Sequence, residues 1–346
     1  MKFLAIFYII TAVLGLSQCG QVAPLHLGEK LNGVSLVAPV RQIDSTALAP
    51  IKQINANWVC LMPYAFTPRD SDELIFNLTG QWWGENVQGV GGCVALAHQR
   101  GIKVMIKPHI WLRHGGFTGT FDLPNEGAWK KWETNYSRYI LTYAKVADSL
   151  KVDLFCIGTE LENFAQKRSD FWKNLITQVK GIYKGKITYA ANWDTFQKFP
   201  HWQDLDYVGI DAYFPLSEST TPSLSDLKKG WKKHHEILNE FVANIQKPIL
   251  FTEYGYRSID QTAKEPWVSD TPAKVNHQAQ ANAYEALFSE FWHEPWFAGG
   301  FAWKWYEPAM LNRAESRWHK MDTDFTPQNK AAQQVLQKWY GKPIKN

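Results

Sequence analysis

Two glutamates in this chain stand just past short apolar runs of the kind that form buried strands. Glu160 comes one residue after Leu154-Phe-Cys-Ile-Gly158, and Glu253 directly follows Ile249-Leu-Phe-Thr252. A single glutamate in such a place is often a solvated loop carboxylate. A pair can do more, because two carboxyls that flank an acetal can divide the work of breaking it. One, kept protonated, gives its proton to the departing oxygen, while the other, ionised, attacks or stabilises the anomeric carbon through an oxocarbenium-like state. A gap of ~5–5.5 Å between them retains the anomeric configuration, and one of ~6.5–9.5 Å inverts it. Glu162, two residues past Glu160, is a rival for the acid.

The elements that must position these groups are legible as an alternation. The sequence predicts strands at Gly33–Ala38, Trp58–Met62, Lys103–Lys107, Leu154–Gly158, Ile187–Ala191, Tyr207–Asp211, Ile249–Thr252 and Gly300–Trp303. They are near-continuous apolar runs, as parallel strands covered on both faces require. Between them helical spacing recurs at Gly89–Arg100, closed by Gly101, and at Ala128–Leu150, Ser169–Tyr183, Ser225–Ile245, Pro272–Phe291 and Gln328–Tyr340. The link from Asn192 to Asp206 has room for a stunted helix at most. Eight such units without a composition break predict one α/β domain, a single (β/α)8 TIM barrel over residues 31–342. A doubly wound open sheet would want a Gly-rich loop after the first strand, and Ala38-Pro39-Val40-Arg41 is not one.

In such a barrel the reactive groups sit where strands end and loops begin at the C-terminal face. That rule selects Arg41 after strand one, His109 and Trp111 after strand three, and Glu160 after strand four. It continues with Asn192 and Trp193 after strand five, Asp211 and Tyr213 at strand six, Glu253 at strand seven, and Trp303 and Trp305 at strand eight. A cleft with two Glu, one His, one Asn and many aromatics suits a sugar chain, because the flat face of a pyranose packs on indole. The chain carries 17 Trp, 14 Tyr and 19 Phe, enough to furnish such a cleft as well as a core. Trp82 and Trp83 are further candidates for platforms.

Other function classes fare worse. A net charge of +4 with scattered Lys and Arg offers no basic stripe for nucleic acid. No His, Cys and carboxylate grouping has metal-ligand spacing. His234-His235 falls on a helical pattern as a solvated pair, and Cys60, Cys93 and Cys156 are read as buried free thiols. No cofactor or metal is expected. Lys2 followed by the apolar stretch Phe3–Leu16 reads as an export signal over residues 1–18, and Leu16-Ser-Gln-Cys19 resembles a lipobox. A tether would follow over residues 19–30, with membrane attachment only through a lipid on Cys19. The expected product is an exported monomer, either secreted or held at a bacterial cell envelope.

The strand ends also carry a resemblance. Ile157-Gly-Thr-Glu160 with Leu-Glu-Asn after it, and Pro248-Ile-Leu-Phe-Thr-Glu253-Tyr-Gly255, resemble the acid/base and nucleophile signatures of clan A glycoside hydrolases. Ala190-Ala-Asn-Trp193, Asp211-Ala-Tyr213 and Trp303-Lys-Trp305 bring the likeness nearest to family 113, whose known members are β-mannanases. The likeness implies a retaining barrel enzyme on a β-linked polysaccharide or oligosaccharide, with Glu160 as acid/base and Glu253 as nucleophile. Thr159 stands where many clan members have Asn to hold the 2-hydroxyl, so Asn192 or His109 would take that role. The pattern shows no arginine after strand two to brace the nucleophile, and Arg41 is the substitute. Tyr213 would donate to Glu253, and Trp303 would floor the subsite. The same mechanism on a β-glucan, or a non-catalytic glycan-binding lipoprotein, are the competing readings.

Overall fold

The predicted alternation closes on itself. A computed structural model describes residues 28–68, 71–113, 115–269, 272–317 and 321–343, so the leader, Cys19 and most of the tether lie outside the described residues. Eight parallel strands form a closed barrel: Leu31–Leu36, Trp58–Leu61, Lys103–Ile106, Leu154–Thr159, Lys186–Asn192, Val208–Asp211, Ile249–Tyr254 and Phe297–Trp305. They are called strands one to eight below. Each pairs with the next, and strand eight returns to strand one with Leu31 opposite Gly299. Side chains alternate between two apolar layers. Cys60, Met105, Cys156 and Leu250 belong to the cluster inside the barrel. Val59, Val104, Ile157 and Phe251 join the larger cluster between strands and helices.

Helices start where a side chain can satisfy their open N–H groups. Asn86, Asn125 and Asn276 each accept from the backbone N–H three residues on, and Ser223 forms a reciprocal capping box with Asp226. The cap at Asn276 starts that helix at His277, later than the Pro272 expected from sequence. Ser169 is the first residue of its helix, as the sequence pattern has it, and its hydroxyl meets His201 Nε2 at 3.0 Å. His234 and His235 are not solvated. His234 Nε2 lies 3.0 Å from the Pro215 carbonyl, and His235 sits between Glu290 at 2.6 Å and Glu294 at 3.3 Å. Cys60, Cys93 and Cys156 are buried free thiols, as read from sequence.

One feature above the barrel is absent from the sequence reading. Strands two and three each run into a proline, Pro63 and Pro108, and then resume in a separate small sheet. There Tyr64–Pro68 pairs parallel with His109–Arg113 and antiparallel with Ile75–Phe76. Proline has no N–H for the barrel ladder, so the chain leaves the barrel at that point. Three short helices, at Ala49–Gln53, Glu162–Lys167 and Pro308–Arg317, were likewise unforeseen; each is too short to show a clear apolar period.

Strand four approaches its helical layer at a glycine. A Cβ on Gly158 would lie 2.7 Å from both the Trp172 ring and the Tyr136 hydroxyl, the latter donating to the Ile157 carbonyl at 2.9 Å. Gly158→Ala should therefore cost about 1–3 kcal/mol by overpacking. A lowered urea midpoint with an unchanged slope would show it, and a midpoint equal to wild type would mean that the aromatic layer yields.

Candidate active site

The site is built from the rim of strands three to seven. Around that rim the Glu160 N–H donates to the Ala190 carbonyl at 2.8 Å, Asn192 stands opposite Asp211, and Asp211 stands opposite Glu253. The ladder slips where each glutamate emerges. A register shift falls between Cys156 and Thr159, and another between Phe251 and Glu253. The second slip turns Glu253 inward although Thr252 also faces the barrel interior, where its hydroxyl reaches Asp211 at 2.7 Å. Glu160 has φ +50, in the left-handed region that costs an L-residue roughly 1–2 kcal/mol. Its own N–H bond and the one from Leu161 N–H to the Tyr189 hydroxyl at 2.8 Å hold it there.

Beneath the two glutamates lies a cation. Lys107 is wholly buried, with Nζ 2.9 and 3.0 Å from the two Asp211 oxygens and 2.5 Å from Glu253 Oε1. The ammonium thus spends its three donors on three carboxylate oxygens. The Tyr213 hydroxyl donates to the other Glu253 oxygen at 2.8 Å, as expected from sequence. Burial alone would discharge the lysine, yet Asp211 and Glu253 outweigh it and raise its pKa, so it stays charged.

The two glutamates meet unlike surroundings. Burial and the Asp211 charge push Glu253 up to about 7, against the pull of Lys107 and the Tyr213 hydrogen bond. Burial, Asp211 and Glu253 push Glu160 well above the usual carboxylate range. Glu160 receives no hydrogen bond from a described side chain, so its charged form has little to hold it. Of the two, Glu253 is the one whose ionised form has donors to support it. Glu162 lines the same hollow as Glu160 from a short helix, bonded to Gln166 at 3.1 Å and 3.6 Å from Lys198 Nζ.

His109 completes the pocket. Its Nε2 lies 3.6 Å from Glu253 Oε1, buried and without a hydrogen-bond partner among the described residues. Burial and the Lys107 charge push its pKa well below the ordinary value, so the ring is neutral. It stacks on Trp303, centroids 6.2 Å apart at 15°, and packs on Tyr64 at 5.2 Å. The Trp303–Lys304 peptide is cis. From Trp303 a groove of about 530 Å³ runs outward between Tyr64, Phe66, Trp82 and Trp111.

Three expectations need correction. Arg41 is exposed on the rim beside Glu307 and Met310, and the cation that braces Glu253 is Lys107, by sequence the last residue of a strand. Asp211 is fully buried against Lys107 and Thr252, so it orients the lysine and cannot touch a sugar. Trp305 is 1 % exposed within the layer between strands and helices, because the pairing with strand one shifts before it reaches Leu36. Of the remaining candidates, Asn192 faces the hollow beside Glu160 and bonds Asp194 at 2.8 Å. Trp83 packs against Gly89 and Gly92, whereas Trp193 stacks on Trp267.

The family model of Glycoside Hydrolase Family 113 matches residues 42–330. The chain belongs to that family. As a member of family 113 it is a glycoside hydrolase, a (β/α)8 barrel of clan A. The β-mannanase of the family from Alicyclobacillus acidocaldarius, solved in complex with ManMIm, superposes with TM-score 0.79 at 24 % identity, covering 92 % of this chain and 99 % of that one. A complex of another β-1,4-mannanase of family 113 gives 0.78 at 22 % over 91 % and 100 %. The β-glucuronidase of Faecalibacterium prausnitzii gives 0.60 at 16 %, over 92 % of this chain and 50 % of that one. No curated protein matches the chain.

Replacing Lys107 by Met in this family 113 enzyme should act in two ways. The buried Asp211 and Glu253 charges would lose their cation, at a cost of about 3–5 kcal/mol of stability. Glu253 would also lose the group that lowers its pKa, so the acid limb of the pH–rate profile should move to higher pH. Urea unfolding and kcat/KM against pH check both; an unmoved acid limb in a folded variant would remove Lys107 from the electrostatics of Glu253.

Proposed function

We propose that the protein is a retaining β-mannanase in which Glu253 is the nucleophile and Glu160 the acid/base. The observation that carries the reading is the unequal supply of donors. Glu253 is held by an ammonium and a phenol, which stabilise its ionised form, while Glu160 has neither. In the first step a Glu253 oxygen attacks the anomeric carbon, the bond to the leaving oxygen breaks, and the Glu160 proton moves to that oxygen. In the second step Glu160 takes a proton from water, the water oxygen attacks the same carbon, and the bond to Glu253 breaks. Asn192 or His109 would hold the 2-hydroxyl, and Trp303 would floor the ring. The mannan assignment is supported by family membership and by the solved β-mannanases that share the fold. The leader supports export, with Cys19 as lipid anchor; a Cys19→Ala protein that still partitioned into detergent would sink the anchor.

Glu253→Gln should lower kcat by several orders of magnitude on every substrate while ligand binding survives. Glu160→Gln should be nearly as damaging on a polysaccharide, yet mild for the first step of an aryl glycoside whose leaving group needs no proton. Proton NMR of the first product should show the β-anomer, and the α-anomer would replace retention by inversion. Across β-mannan, glucomannan, cellulose and laminarin, short manno-oligosaccharides are the expected products; activity confined to a glucan would overturn the substrate. The profile of kcat/KM against pH should be a bell. Its acid limb follows ionisation of Glu253, displaced upward from the ordinary 4.5 towards about 7, and its alkaline limb follows loss of the Glu160 proton. An acid limb near 4.5 would contradict the burial assigned to Glu253.

A further inference from the structure

Three tryptophans among the described residues are broadly exposed: Trp82 at 43 %, Trp111 at 56 % and Trp267 at 43 %. All three lie in segments that follow barrel strands at the C-terminal face: Trp82 and Trp267 in the loops after strands two and seven, and Trp111 in the small-sheet strand after strand three. Large indole surfaces gathered on one face mark a binding surface more than scattered exposure would. Trp82 and Trp111 belong to the groove that starts at Trp303. Trp267 does not. It lies nearly flat on Trp193, centroids 5.5 Å apart at 20°, and Trp193 is wedged edge-on against Phe214 and His234.

The chemistry of the site says which part of the substrate each platform meets. Glu253 stands 3.6 Å from His109, and His109 stacks on Trp303 at the head of the groove. The sugar attacked by Glu253, and those before it, extend that way. Glu160 hands its proton to the leaving oxygen, so the leaving portion departs past Glu160. Glu160 shares its hollow with Asn192, and the Asp194 charge acts on it. Trp193 lies between those two residues in the chain, so the leaving portion passes the loop that carries it.

We infer that the outer face of Trp267, backed by Trp193, is a binding platform for a pyranose ring in the leaving-group portion of the substrate. The assignment rests on the hydrolase reading above, with Glu160 as acid. The platform is set in place before substrate arrives. The loop bearing Trp267 is tied to the one after strand six by Leu216 N–H to Ala263 O at 2.8 Å, Gln261 N–H to Thr220 O at 2.8 Å, and a Lys264–Glu218 pair at 3.0 Å. Little ordering is then left to oppose binding. Trp267 is exposed and its removal leaves no core cavity.

The test compares wild type with Trp267→Ala, Trp267→Phe and Trp82→Ala on β-1,4-mannohexaose labelled at its reducing end, and on an aryl β-mannobioside with a single small leaving group. Trp267→Ala should lose about tenfold in kcat/KM on the hexasaccharide, the scale of one aromatic stacking contact. The favoured bond should move towards the reducing end, so that fewer rings occupy the leaving side. The aryl substrate should be turned over as by wild type, and Trp267→Phe should restore most of the loss. Trp82→Ala should move the favoured bond the opposite way. An active wild type whose cleavage pattern and rate are unchanged in Trp267→Ala would overturn the platform alone. A loss shared equally by the aryl substrate would also overturn it, since the residue would then act on the catalytic centre. A wild type that cleaves neither substrate would overturn the mannanase reading and the platform with it. Should wild type cleave only a β-glucan hexasaccharide, the substrate assignment falls, and the same comparison on that chain decides the platform.

Discussion

A lysine sealed inside the barrel mouth is the constraint on which the site depends. Taking an ammonium out of water costs several kcal/mol even after relaxation, and each carboxylate brought to it costs a similar amount. The arrangement is tolerable because the geometry is complete: three donors on Lys107 meet three oxygens, and the Thr252 hydroxyl adds a third contact to Asp211. Lysine suits this place better than arginine, since its compact charge can point at three acceptors from one atom whereas a guanidinium is a planar fork. Asp211 fixes where the ammonium sits, and the ammonium fixes where Glu253 sits. The carboxylate is oriented before any substrate arrives.

The same cluster explains why two glutamates of equal chemistry behave unequally. Both are withdrawn from water, which raises both pKa values. The lysine and Tyr213 act directly on Glu253, so part of that rise is cancelled there. Glu160 feels Lys107 at longer range and also faces the Asp211 and Glu253 charges, so its rise stands. Two carboxyls with unequal support for their charged forms thus arise from one buried cation placed off-centre between them. The left-handed backbone at Glu160 belongs to this design: it turns the side chain off the strand's path, and a bond to the neighbouring strand holds the turn.

Much of this was legible in the sequence, for physical reasons. Parallel barrel strands are buried on both faces and so appear as unbroken apolar runs, which located all eight. Strand ends then pointed to Glu160, Glu253, His109 and Tyr213. Lys107 was passed over because a lysine at a strand terminus ordinarily marks the edge of burial. The signal was the period of two: Lys107 shares the parity of Met105, whose side chain fills the barrel interior. Arg41 is the arginine that the strand ends offer, whereas the cation beside Glu253 comes from strand three. Trp305 was selected with Trp303 by the strand-end rule, which does not see the register shift that turns it into the outer layer. The small upper sheet was invisible because Pro63 and Pro108 look like terminators when they are also points where strands change partners.

That change of partners separates two jobs that share one stretch of chain. Below Pro108 the polypeptide belongs to the barrel ladder and supplies the lysine; above it, the strand His109–Arg113 bonds to Tyr64–Pro68 and raises a wall of the cleft. Within that wall Trp111 and Arg113 face outward while Ile110 and Leu112 are buried, so alternate positions can be exchanged without disturbing the packing that anchors them. The wall can therefore drift in sequence, deepening, shortening or recolouring the groove, while the proton-handling centre beneath stays as it is. His109, the first residue above the break, is the hinge between the two regimes. Divergence of substrate preference among chains of this design would be free to begin two residues further along.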